Sequence, residues 1–217
     1  MRFLRTAAAT AASFALVAGT GVAAAPAAGA DTLGNKSLGS ILTSDGDTFD
    51  NNPWDYDILT QAAVAVLTAK PNSAVGVLFD GSVPLTAFLP TDRAFDKLVI
   101  DLTGSSAGGE QADFKVVASL GIDTVEAVLL YHVVPGVTID SSMALQADGA
   151  KLATAADGAT FTVDVVHKSD GGVGVRLIDN EPDLRNPWLV LDRLDINKGN
   201  KQIAHAINRV LLPVLPA

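Results

Sequence analysis

The chain has 217 residues, with 15 Lys and Arg against 24 Asp and Glu, a formal net charge of −9, three histidines and no cysteine. That acidic balance argues against nucleic acid and anionic membrane surfaces as partners, and it favours cationic partners or divalent ions. The lack of cysteine excludes disulfide staples, thiolate catalysis and thiolate metal sites.

Arg2 and Arg5 give the N-terminus a positive start, and Thr6 to Val22 is an almost unbroken run of small and apolar residues. Ala28-Gly29-Ala30 then offers the small-x-small pattern of a signal-peptidase site. Residues 1–30 therefore read as a secretory signal peptide cut between Ala30 and Asp31, because a cut after Ala25 would leave Pro26 first. Only Phe3, Leu4, Phe14, Leu16, Val17 and Val22 are strongly apolar there, too few for a spanning helix. No later stretch approaches ~20 consecutive apolar residues, and the C-terminal residues show no wall-sorting or lipid-anchor pattern. The expected product is secreted, extracellular, monomeric and not inserted in a membrane. Cleavage removes two arginines and no acid, taking the net charge from −9 to −11 over 187 residues. That length suits one domain with an extension.

Residues 31–54 are polar and rich in Gly, Asp and Asn, and they read as a mobile N-terminal extension ahead of a domain at 55–214. From Asp57 the pattern is helical, with Ile58, Leu59, Ala62, Ala63, Val66 and Leu67 on one face until Pro71 stops it. Leu85 to Leu89 predicts a buried strand, after which Thr91 or Asp92 can cap a helix carrying Phe95, Leu98, Val99 and Leu102. A loop spans Gly104 to Gly109, and a short helix through Phe114 and Val117 ends at Gly121. Asp123 and Glu126 resemble a capping box for a helix that runs to Tyr131-His132 and breaks at Pro135-Gly136. The period then becomes two. Phe161, Val163, Val165 and His167 alternate outward to a Gly171-Gly172 hairpin, and Val173, Val175 and Leu177 alternate back. Ile203, His205, Ile207 and Arg209 mark one face of a last strand. With helices first and strands predominantly last, the expected class is α+β.

Three stretches carry a family resemblance. Thr86, Phe88, Pro90, Thr91, Asp92, Ala94 and Phe95 fit the pattern Thr-x-Phe-x-Pro-Thr-Asp/Asn-x-Ala-Phe, and Leu129-Leu130-Tyr131-His132-Val133-Val134-Pro135-Gly136 follows without a gap. Ile203 to Pro213 then supplies His205, Ile207, Val210, Leu211 and Pro213 in a second box. In order and spacing these resemble the fasciclin (FAS1) domain, over roughly Asp55 to Pro213. Asn208 stands where the family has an acid, and Lys201-Gln202 disrupts its Asn-Gly turn, which leaves a charge partner for Arg209 open. The resemblance implies a wedge of β-strands with helices packed around it. It also implies a non-enzymatic role in cell adhesion or extracellular protein and matrix binding, with no cofactor. Within that family Tyr131 and His132 correspond to a pair linked with cell-surface recognition. A histidine at a helix end beside Val133-Val134 is better placed for a buried hydrogen bond tying the helix to the first box. Tyr131 suits a core or an interface equally; as a contact residue it would tolerate truncation with little loss of stability. Thr86, Phe88, Pro90, Thr91, Asp92, Phe95 and His205 are structural in this reading, and His167 is solvated. A Gram-positive, high-GC bacterial source fits the dominance of Ala, Asp and Val.

Competing chemistry is weaker. Gly104-Ser105-Ser106-Ala107-Gly108 has Gly-x-Ser-x-Gly spacing but falls in a loop after a helix rather than on a strand-to-helix elbow, and the histidines lack His-x3-His spacing, so neither a hydrolase nor a zinc site is indicated. The acidic stretch from Asp45 to Asp57 is the better metal candidate, because carboxylates and amides suit calcium. Phe49, however, stands where a calcium loop wants oxygen, and no glutamate closes the stretch. It therefore reads as a solvated lead-in to the first helix, with a calcium-dependent module as an alternative. A carrier of a small apolar ligand, lipid or pigment, is a further alternative that no residue marks.

Overall fold

The structure is a computed structural model that describes residues 33–44, 46 and 48–214. The export segment and its cleavage point, with Asp45 and Asp47, lie outside the described residues.

The run bracketed by Pro84 and Pro90 forms β1, Leu85–Pro90, and every residue of it is buried. It is the centre of a sheet in the order β2-β1-β6, where β2 is Val133–Pro135 and β6 is Gln202–Ile207. β2 runs antiparallel, with Ala87 opposite Val133, and β6 runs parallel, with Phe88 opposite His205. Parallel pairs occur where both faces of a sheet are covered, and β6 is likewise buried along its whole length. A second, antiparallel sheet joins β3 (Lys151–Ala153), β4 (Thr160–His167) and β5 (Val173–Ile178). Its inward residues, among them Phe161, Val163, Val175 and Leu177, are the ones the period of two selects.

Six α-helices are described: α1 (Leu38–Leu42), α2 (Asp57–Ala69), α3 (Asp92–Thr103), α4 (Glu110–Ser119), α5 (Ile122–Tyr131) and α6 (Ser141–Ala144), with a 3₁₀ helix at Ala74–Phe79. Their apolar stripes and β1 enclose one core, which holds Leu59, Ala63, Leu85, Ala87, Leu89 and Phe95. The other core lies over the second sheet and holds Phe88, Tyr131, Phe161 and Leu177. Because successive side chains of a strand point to opposite faces, β1 sends Ala87 to the first core and Phe88 to the second. β6 does the same with Ala204 and Ile207.

Three details differ from the sequence expectation, and a fourth is one that it leaves open. The segment expected as a mobile extension is packed, since Leu38 and Leu42 of α1 are fully buried in the first core. Gln202 fastens it: its Oε1 accepts from Leu38 N–H at 2.8 Å, while its Nε2 donates to Val77 O and Asp80 O at 2.8 Å each. Gly81 lets this segment pass, since a Cβ there would stand 1.8 Å from Asn35 O. Leu102, placed on the buried stripe of α3 by its spacing, is 39% exposed in the last turn of that helix. The capping box is not formed. Gly121 occupies the N-cap of α5, and Asp123 and Glu126 instead both bind Lys70, which follows α2. Finally, Arg209 does have a partner, Asp101 of α3 at 2.5 Å, supplied by tertiary contact rather than by the neighbouring residue. Asn208, standing where the family has an acid, accepts from Trp188 N–H at 2.9 Å.

Candidate functional site

The Tyr131-His132 pair ends α5 with both side chains inside, 0% and 3% exposed. Tyr131 packs edge-on against Phe161, and its hydroxyl donates to Thr160 O at 2.8 Å. Burial pushes the phenol pKa well up. The His132 Nδ1–H donates to Val128 O at 2.7 Å, and Nε2 accepts from Leu211 N–H at 2.9 Å. A carbonyl can only accept and an amide can only donate, so these partners assign the neutral tautomer with the proton on Nδ1. Burial lowers the ring's pKa to about 4, against the pull of Val128 O. The ring thus ties α5 to the segment after β6. The link from this helix end to the first box is made by main chain, Phe88 N–H donating to His132 O at 3.0 Å.

His205, wholly buried in β6, repeats the arrangement with the opposite tautomer. Its Nε2–H donates to Ile139 O at 2.9 Å, and Nδ1 accepts from Asp195 N–H at 3.2 Å. Burial, outweighing the nearby acids, lowers its pKa. In β1, Thr86 donates to Val137 O and accepts from Ile139 N–H, both at 2.8 Å. Phe88 meets Phe161 edge-to-face at 5.3 Å. Pro90 closes the strand opposite Ile207, and Phe95 is buried in the first core. Both histidines therefore spend both ring nitrogens on main chain, and neither is free to move a proton. His167, at the end of β4, is exposed.

The most unusual electrostatics lie elsewhere, where α2, α3 and α4 begin. Thr91 is the N-cap of α3 but forms no side-chain cap bond. Asp92 reaches across instead and accepts from the first N–H groups of α2, Asp57 at 3.0 Å and Ile58 at 2.9 Å. Main-chain bonds hold the same turn, from Asp92 N–H to Asp55 O and from Arg93 N–H to Pro53 O. Glu110, at the start of α4, accepts from Asn51 N–H at 2.8 Å. Asp55, Asp92 and Glu110 each direct a carboxylate oxygen to one place, all within 4.8 Å of one another. Burial first, and contact with the Asp55 carboxyl second, drive the Asp92 pKa upward, although two backbone N–H groups favour its anion. Burial likewise raises Glu110 and Asp113. Asp92, Glu110 and Asp113 open into a cleft of about 400 Å³ lined also by Asn51, Pro53, Arg93 and Asp96. Arg93 lays its guanidinium over the Trp54 ring at 5.2 Å.

The sequence marks Asp92 as a possible cap and a structural residue of the first box, and it gives no sign of Glu110 or Asp113. Nothing local pairs them with Asp55, because a loop and most of a helix separate α3's start from α4's. Phe49, which argued against a calcium loop, packs on Phe114 at 5.6 Å and serves the core.

The Fasciclin domain family model matches residues 59–213, the span that contains β1, Tyr131-His132 and β6. The chain belongs to the fasciclin family. Its fold is accordingly the α+β FAS1 fold. The structure of a FAS1 domain pair from the insect cell adhesion molecule fasciclin I is similar, with a TM-score of 0.51 at 15% identity. That likeness covers 75% of this chain and 48% of the insect chain, so the present fasciclin chain spans about half the length of that relative. No curated protein sequence matches it. No helix among the described residues is long and apolar enough to cross a membrane.

Proposed function

We propose that this fasciclin protein is exported and acts as a non-catalytic binding module toward an extracellular protein, matrix polymer or cell surface. The observation that carries the reading is the fasciclin domain itself, spanning residues 59–213, and the solved FAS1 pair from a cell adhesion molecule supports it by analogy. The histidines add chemical support, since His132 and His205, the two in the family motifs, have no ring nitrogen left for acid–base work. Net charge of −9 favours a partner with cationic surface. The buried Tyr131-His132 pair supports a structural role, with contact made by other residues. The carrier alternative gains nothing from the apolar space beside His132 between α3, α4 and α5, which is about 20 Å³, below the volume of a lipid chain.

The test is saturable binding of the purified chain to intact cells and matrix fractions, with a panel of ester, peptide and glycoside substrates run in parallel. Binding with background hydrolysis is expected. Turnover that vanishes on replacing His132 or His205 in a folded variant would sink the reading. Export with cleavage before Asp31 is expected to show Asp31 as the first residue of secreted material on N-terminal sequencing; an intact Met1 in the medium would refute it.

A further inference from the structure

We propose that this chain holds a divalent metal ion of calcium-like hardness between Asp55, Asp92 and Glu110. The three oxygens lie within 4.8 Å of one another, which fits ligands that each touch a shared ion at about 2.4 Å, the calcium–oxygen distance. Two of the ligands are set in place by main chain, Asp92 by the amides of Asp57 and Ile58 and Glu110 by that of Asn51. A carboxylate oxygen that accepts one hydrogen bond keeps a lone pair for a cation.

A cluster of acids at helix starts is common, so two further observations matter. Asp113 is only 3% exposed and lines the same cleft, and its Oδ1 has no hydrogen-bond partner. Asp55 Oδ1 is also buried without a hydrogen-bond partner. A buried carboxylate oxygen left so is costly unless a cation meets it or the group takes up a proton, and a metal ion competes for the same lone pairs. None of Asp55, Asp92, Glu110 and Asp113 takes part in an ion pair among the described residues. Arg93, the cation that lines the cleft, is turned onto Trp54. The cleft's 400 Å³ leaves room for the waters that complete a calcium shell. Asp92 and Glu110 lie deep, 2% and 5% exposed, which favours a small hydrated ion over the head of a partner's lysine or arginine. The glutamate that the 45–57 stretch lacks thus comes from α4, and three segments make the site rather than one loop.

The experiment uses the purified chain after chelation, titrated with Ca²⁺ by calorimetry and with Tb³⁺ by luminescence excited through Trp54 and Tyr56, the residues either side of Asp55. One saturable site is expected, with a Kd of about 10⁻⁴–10⁻³ M as in extracellular calcium modules, and Ca²⁺ should displace the terbium signal. Asp55→Asn and Glu110→Gln, which keep the side-chain shape and, at 110, the acceptor for Asn51 N–H, should each weaken binding about tenfold or more. Asp123→Asn, on α5, should not. Circular dichroism and a urea midpoint confirm that each variant is folded, and two independent variants guard against loss of one. Absence of saturable heat and emission at millimolar Ca²⁺, or undiminished binding in both variants, overturns the proposal. So does an oligolysine peptide that binds and is lost in these variants while metal does not bind. None of these outcomes depends on whether the chain adheres to a surface.

Discussion

At the scale of single residues, His132 is a polar group whose worth lies in being neutral. Removing it in His132→Ala leaves the buried Leu211 N–H without an acceptor, a loss of about 1–3 kcal/mol at pH 7 readable by urea titration. The pH dependence has a definite sign. A ring with pKa 6.5 unfolded and about 4 folded takes up its proton preferentially in the unfolded chain. Its contribution is fully present above pH 6.5 and is lost as the pH falls toward 4, by about 3 kcal/mol at most. The gap between wild type and His132→Ala should therefore close across that range, leaving the variant at least as stable near pH 4; a gap independent of pH would refute the buried neutral ring. Tyr131 behaves differently from a surface contact. Tyr131→Phe keeps the packing on Phe161 and should cost about 1 kcal/mol for the lost bond to Thr160 O. Tyr131→Ala opens a cavity in the second core and should cost about 3–5 kcal/mol. If Tyr131→Ala unfolds at the wild-type urea concentration, the side chain is not the anchor described.

At the scale of elements, the N-terminal segment decides where the folded body begins. α1 has five residues and would not persist alone, because one turn fixes several dihedrals for very few bonds. It exists because Ser37 caps it, Gln202 receives Leu38 N–H, and Leu38 and Leu42 enter the core. Leu38→Ala should cost about 2–5 kcal/mol, whereas substitution in a mobile extension would cost nothing; differential scanning calorimetry distinguishes the two. Gln202→Ala should speed amide exchange at Leu38 selectively over the β4–β5 hairpin, since that one amide side chain holds both α1 and the turn at Val77 and Asp80.

At the scale of the whole molecule, the two cores share strands rather than merely touching. Ala87 and Phe88 are adjacent in β1 yet belong to different cores, and the parallel β1–β6 pair closes over more than a hundred residues of intervening chain. Neither core can lose its packing without exposing a face of these strands, so unfolding should be a single cooperative transition. Trp54 lies by the helices and Trp188 packs against Gly174 of β5. Urea curves of Trp54→Phe and Trp188→Phe, each reporting through its remaining tryptophan, should show one shared transition shape and no plateau. A plateau in either would mean that the cores unfold separately.

Much of the fold was legible because local physics and global packing agree. The 3.6-residue stripe of α2 and the period of two in β4 and β5 state which faces are apolar, and the three family motifs mark β1, the end of α5 and β6 in order. The identity of the partners was not legible, because hydrogen bonds between segments leave no trace in local pattern. Asp92 looks like a cap for its own helix, yet the start of α2 stands nearer to its carboxylate once β1 has set the two helices side by side. Asp123 and Glu126 look like a capping box, yet Lys70 offers both a full charge. Polar residues 33–54 look mobile because two buried leucines in a Gly, Asp and Asn background give no periodicity. The sequence by itself determined the fold class and the apolar faces of α2, α3, β1, β4 and β5, since burial follows side-chain chemistry and spacing. Only the tertiary structure decided that Asp55, Asp92 and Glu110 converge, because their meeting depends on how three helix starts are brought together by contacts far apart in the chain.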